Sequence, residues 1–115
     1  AESRKNNWQM AIHVLDTGGY GVASIRMDGT QFGSDKVAYQ KAWSAIAYRR
    51  PTKVFEDVVA KGGDGLRILR LDGAVPVEGG VPIVMDGKMV GSVGASGGTA
   101  QQDGMVAKAC TDALK

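Results

Sequence analysis

The stretch Gly94-Ala95-Ser96-Gly97-Gly98-Thr99 stands between a strand-like run and a helix-like one. At such a junction the first backbone N–H groups of the helix lack partners and the dipole favours negative charge, so the loop is a candidate cradle for a carboxylate or similar anion. It reads equally well as a tight turn closed by a Thr99 cap. A second glycine-rich segment, Glu78-Gly79-Gly80, either lets a ligand or neighbouring chain approach the backbone, with Glu78 as a polar contact, or shapes a loop. His13 is the sole histidine, and it shares a mixed strand face with Gln9, Ala11 and Leu15, where an imidazole more often packs than ligates. Arg26 and Asp28 are spaced to pair across a turn, an exposed contact worth little to stability. Cys110 lies on an inward helix face and reads as an inert buried thiol, and the methionines read as core filling.

Other chemistries lack their residues. Paired carboxylates, a Ser-His-Asp order, a Walker loop and metal-ligand spacing are missing, and the run Gly91-x-x-Gly94-x-x-Gly97 lies along a hairpin strand, where a dinucleotide fingerprint does not occur. Catalysis by side chains alone is therefore not expected, and any reaction would fall to a bound cofactor.

The chain that must position these residues has 115 of them, room for one domain spanning 1–115. With 43% hydrophobic and 23% charged residues it reads as globular. Its 17 glycines without a Gly-X-Y period point to tight turns and close backbone approaches. The net charge of +2 comes from 14 basic and 12 acidic residues scattered along the chain, which leaves no stripe for nucleic acid. The basic pair Arg49-Arg50 falls where a helix should end and complements its dipole. A single cysteine excludes an internal disulfide and demands no oxidising compartment. No apolar run approaches the roughly 18 residues of a membrane span, and no leader stands at the start; a cytoplasmic place is expected, with an extracytoplasmic one open if a leader was removed.

Residues 1–7 read as the polar end of a helix. Alternation over Trp8–Leu15 and Tyr20–Met27 around Asp16-Thr17-Gly18-Gly19 predicts a hairpin. Ser34 is placed to cap a helix over Asp35–Tyr48 with Ala38, Ala42, Ala45 and Ile46 on one face, and Pro51 to open a second helix that Gly62-Gly63 stops. Leu66–Leu71 alternates like a strand. Asp86-Gly87 between Val81–Met85 and Lys88–Ala95 is a strong hairpin signal, and Thr99-Ala100-Gln101-Gln102 matches a capping box before a terminal helix carrying Met105, Val106, Ala109, Cys110, Ala113 and Leu114. The pattern is α+β, an antiparallel sheet with helices against it.

Three stretches, in this order and spacing, resemble the GlcG/HbpS family, a heme-binding or heme-degrading group that includes the C-terminal domain of PduO-type proteins. They are Ile12-His13-Val14-Leu15-Asp16-Thr17-Gly18-Gly19 with Arg26-Met27-Asp28-Gly29 and the helix containing Lys41-Ala42; Pro76 to Ile83; and Val90 to Gly98 with Gln102-Asp103 beyond. The resemblance covers nearly the whole chain. It implies a profilin-like fold with a five-stranded antiparallel sheet, an N-terminal helix of which this chain holds only the end, a homo-oligomer, and binding of heme or a related tetrapyrrole with slow heme degradation. The family tends to carry a small or aliphatic residue where this chain has His13.

Heme needs an apolar slot, an axial ligand and donors for its propionates. His13 is the leading axial candidate, ahead of Tyr20, Tyr39 and Tyr48. Arg26, Glu78, Gly79, Gly80, Gly94, Ser96, Gly97, Gly98 and Thr99 are the candidate ligand-binding residues. Two other classes stay open: an accessory or enzymatic protein acting on a small carboxylate or in corrinoid-related catabolism, and a structural oligomer subunit.

Overall fold

The computed structural model describes residues 5–113. Four strands, β1 (Ala11–Leu15), β2 (Gly21–Arg26), β3 (Gly80–Met85) and β4 (Lys88–Ser96), form one antiparallel sheet in the order β2-β1-β4-β3. Three α-helices, α1 (Gly33–Ala47), α2 (Thr52–Ala60) and α3 (Ala100–Asp112), and a 3-10 helix at Gly63–Arg70 complete the fold. It is the α+β arrangement expected, with four strands in place of five.

The missing strand is Leu66–Leu71, whose residues to Arg70 wind into the 3-10 helix. Over so short a run both periods find support: Leu66 and Leu69 suit a three-residue period, Leu66 and Ile68 a two-residue one. Gly62 and Gly63, both at positive φ, turn the chain back onto the end of α2, where a side chain at Gly65 would collide with the Val58 carbonyl. The segment packs beside α2 and never reaches a sheet edge. The first helix falls mainly on residues outside those described, as does Leu114.

Helix α1 also begins earlier than its sequence indicates. Gly33 is its first residue, and Ser34 lies buried inside the first turn, its hydroxyl accepting from the Gln31 amide at 3.1 Å, so it does not cap. Pro51 stands just before α2, its φ of −59° suited to the helix entry. The Asp86-Gly87 turn has φ of 52° and 77°, both in the left-handed region that a two-residue hairpin demands. Thr99 and Gln102 form the reciprocal capping box of α3.

Helices cover the two faces of the sheet. On one, Ile12, Val14 and Val81 pack with Met10, Val93, Ala95 and Val106 around α3; fully burying a side chain such as Met10 or Val106 contributes about 1.5–3 kcal/mol. On the other, α1 lies on β4 through Ala38, Ala42 and Ala45, all inaccessible to solvent. The approach is close because β4 has Gly94 there: a Cβ would sit 2.0 Å from the Ala38 carbonyl oxygen. The Ser92 hydroxyl donates to the Ala42 carbonyl at 2.6 Å and fixes the helix on the strand. This tight seating sets the height at which Asp35, Tyr39 and Lys41 stand over the sheet.

Candidate functional site

His13 shares its face of β1 with the buried Ala11 and Leu15, toward α1, and its side chain is only 15% exposed. Nε2 lies 3.0 Å from Oδ1 of Asp35 in the first turn of α1. A carboxylate only accepts, so Nε2 donates, and in the neutral ring that leaves the lone pair on Nδ1. Tyr39, one turn further along α1, meets the imidazole edge-on at 5.7 Å between ring centres, and its hydroxyl donates to the Gly19 carbonyl. Beside these groups runs a groove of about 450 Å³, floored by His13, walled by Tyr39 and closed along one side by Gly21, Val22, Ala23 and Ser24 of β2.

Arg26 pairs with Ala11 as Ser24 pairs with His13, so alternation along β2 puts Arg26 and Ser24 on the groove's face of the sheet. The expected Arg26–Asp28 ion pair does not form: among the described residues, no carboxylate lies within salt-bridge distance of Arg26. In an exposed turn, attraction in water does not repay the ordering of two long side chains.

The glycine-rich loop lies elsewhere, at the far end of β4. Its N–H groups point at a carboxylate, and that carboxylate belongs to the chain. Gly98 N donates to Oδ1 of Asp103 at 2.9 Å, and the Gly97 N–H also acts on that group. Thr99 N donates to the Gln102 side chain at 3.0 Å, and Gln102 N to the Thr99 hydroxyl at 3.1 Å. Gly97 has φ of 147°, and a side chain there would meet the Gln9 carbonyl at 2.2 Å. An external anion would have to displace Asp103, whose Oδ2 is held 2.7 Å from Nζ of Lys41 in α1. Both side chains are almost wholly buried. Lys41 also donates to the Ala95 carbonyl at 3.1 Å. Burial pushes the Asp103 carboxyl above its ordinary range, while the Lys41 ammonium and the Gly98 N–H pull it back.

Glu78, Gly79 and Gly80 cross above this pair. A Cβ at Gly79 would lie 2.8 Å from Lys41 Nζ, and one at Gly80 2.3 Å from the Lys41 carbonyl oxygen. Gly80 N donates to the Thr52 hydroxyl at 2.9 Å, Glu78 N to Oε1 of Glu56 at 3.0 Å, and the Glu78 carboxylate rests over Gly104 of α3. The close approach that these glycines permit is made by the chain's own α1 and α2. Ser96 closes β4 opposite Ala11 and is buried. Gly79, Gly80, Gly97 and Gly98 thus gather around the Lys41–Asp103 pair, Gly94 lies against Ala38 and Ala42 of α1, Thr99 caps α3, and His13 and Arg26 belong to the groove. Burial raises the Cys110 thiol above its ordinary value.

Sequence reasoning missed the buried pair. Its signal was a lysine on the apolar stripe of α1, between Ala38, Ala42 and Ala45, which only a buried partner explains. Among the described residues, no group of three or more His, Cys, Asp or Glu is arranged to hold a metal ion, and no helix is long and apolar enough to cross a membrane.

The HbpS-like family model, described as haem degrading protein HbpS-like, matches residues 1–112. The chain belongs to the HbpS-like family. It is 41% identical to protein GlcG of Escherichia coli over 95 residues, which are 83% of this chain and 69% of GlcG. Among solved structures, protein ORFY of Klebsiella pneumoniae superposes with a TM-score of 0.85 at 29% identity, covering 99% of this chain and 82% of that one. PduOC, solved as a heme complex, gives 0.86 at 28% identity, covering 97% and 83%.

Proposed function

We propose that this chain binds heme or a related tetrapyrrole in the groove between α1 and β2, with His13 as the iron ligand. The observation that carries the reading is the His13–Asp35 contact: histidines that hold metals commonly give their second ring N–H to a carboxylate, which fixes the tautomer and makes the free nitrogen a better donor. Val22 and the Tyr39 ring supply apolar walls, and Ser24 and Arg26, on the same strand face, supply donors for propionates. The likeness to a protein solved as a heme complex supports the ligand class, and the family's description as haem degrading extends it to degradation of the ring. Bound heme would supply the redox and oxygen chemistry; the chain's part is to ligate, orient and shield. The carboxylate reading of the Gly94–Thr99 loop is weaker, because Asp103 already fills that seat.

The test is a hemin titration followed by absorbance. A saturable Soret band at one equivalent is expected, and His13→Ala should move the band and change the spin state at full occupancy. An unchanged spectrum removes His13, and no saturable band removes the reading. A homo-oligomer with closed symmetry, placed in the cytoplasm, completes the proposal; β2 is an edge strand with all six residues exposed, an edge that self-association would cover.

A further inference from the structure

We propose that a second cavity, on the other side of Tyr39, is a binding site for a small organic ammonium ion. The cavity, about 380 Å³, is lined by Tyr39, Gln40 and Trp43 of α1 and by the loop Asp72–Val75. Tyr39 also walls the groove described above, so one side chain separates two unlike sites.

The loop that forms the outer wall is fastened at both ends. The Asp72 carbonyl accepts from the Tyr48 hydroxyl, and Val75 N donates to the buried Ser44 hydroxyl at 3.0 Å. Between them Gly73, at φ 76°, lies against the indole of Trp43, where a Cβ would come within 2.2 Å of the ring. Trp43 in turn meets Tyr48 edge-on at 6.4 Å. The cavity is held open by packing and hydrogen bonds that no ligand is needed to complete.

Its chemistry selects charge. Asp72 is the one ionisable acid or base in the lining besides the Tyr39 phenol, and its carboxylate makes no ion pair with any described lysine, arginine or histidine. The negative charge of Asp72 in the lining disfavours an anion, and a neutral molecule gains nothing from it. An ammonium ion gains the carboxylate and two electron-rich aromatic side chains together, the combination by which proteins recognise alkylated amines. The same charge disfavours the propionates of a tetrapyrrole, which sets this cavity apart from the His13 groove.

Calorimetric titration of the unmodified protein with phenethylammonium, and with the isosteric controls 2-phenylethanol and phenylacetate, tests the proposal. Saturable one-to-one binding of phenethylammonium is expected, with both controls weaker by roughly tenfold or more. Asp72→Asn should weaken phenethylammonium by about the same factor while leaving the melting temperature and the hemin titration as in the parent. Should that variant melt early, salt provides the second measure on the parent itself: affinity should fall between about 0.02 and 0.5 M NaCl. Absence of saturation at millimolar ligand, equal binding of 2-phenylethanol, full binding by a stably folded Asp72→Asn, or indifference to salt would each overturn it.

Discussion

Helix α1 carries charge to two places, and the chain treats them in opposite ways. Toward α3, Lys41 disappears beneath the Glu78–Gly80 segment and spends its hydrogen bonds on Asp103 and the Ala95 carbonyl. Toward β2, Asp35 stays half exposed and engages His13 over a groove that the chain leaves open. Both places looked like sites: one has a glycine-rich loop at a helix N-terminus, the other a lone histidine. The difference lies in who supplies the partner. Where the chain's own carboxylate fills the cradle, the glycines serve packing; where a strand and a helix part without filling the gap, a ligand has room.

The sharpest way to break that comparison is to remove one half of the buried pair. Lys41→Met keeps the length and apolar stem of the side chain but leaves Asp103 buried without its cation, and a loss of about 3–5 kcal/mol in urea unfolding is expected. Lys41→Met with Asp103→Asn should recover more than half of that, because the amide oxygen can still accept from Gly98 N while no charge is buried. On the groove side, Asp35→Asn should cost less than about 1 kcal/mol, since its carboxylate keeps its water. A Lys41→Met variant as stable as the parent would show that the pair does not pin α1 to α3.

Much of this arrangement was legible in the residues, and what was not has a physical cause. The Asp86-Gly87 hairpin, the Thr99 capping box and the alanine face of α1 are local devices whose residue types do not depend on distant partners. The family was legible too, from three motifs in order. Leu66–Leu71 misled because two periodicities coincide over a few residues, and the segment packs against α2 and not along the sheet. His13 appeared to lie on a mixed face because Gln9 precedes the strand proper, whereas Ala11 and Leu15 are buried under α1. The Lys41–Asp103 pair joins residues 62 positions apart, and no local pattern reports such a contact.

A smaller effect sharpens the reading of the loop. Thr99→Val removes the hydroxyl that accepts from Gln102 N and should cost about 1 kcal/mol, the usual worth of a helix cap. Hemin binding should be untouched. If this variant melts within a few degrees of the parent and yet loses hemin, the ligand site belongs to the Gly94–Thr99 loop and the groove does not hold it. Gly97→Val cannot serve here, because its side chain would collide with the Gln9 carbonyl and disturb the fold.

The smallest effect concerns Glu56, which anchors the segment lying over the buried pair. Its Oε1 accepts from Glu78 N at 3.0 Å and its Oε2 lies 3.0 Å from Nζ of Lys53. The Glu78 N–H first, and the Lys53 ammonium second, hold the carboxyl below its ordinary value of 4.5. A group whose folded pKa is depressed stabilises the fold above its unfolded pKa and loses that contribution as pH falls through the folded one. Glu56→Gln should therefore melt slightly below the parent at neutral pH, with the gap narrowing as pH drops beneath 4.5 and closing once the parent's carboxyl is protonated. Added salt should shrink the Lys53 share, which is exposed and screened, and spare more of the Glu78 share, whose donor is a fixed backbone group. A gap that persists unchanged into acid would mean that the shape of the side chain, and not its charge, holds Glu78 to Gly80 in place over Lys41.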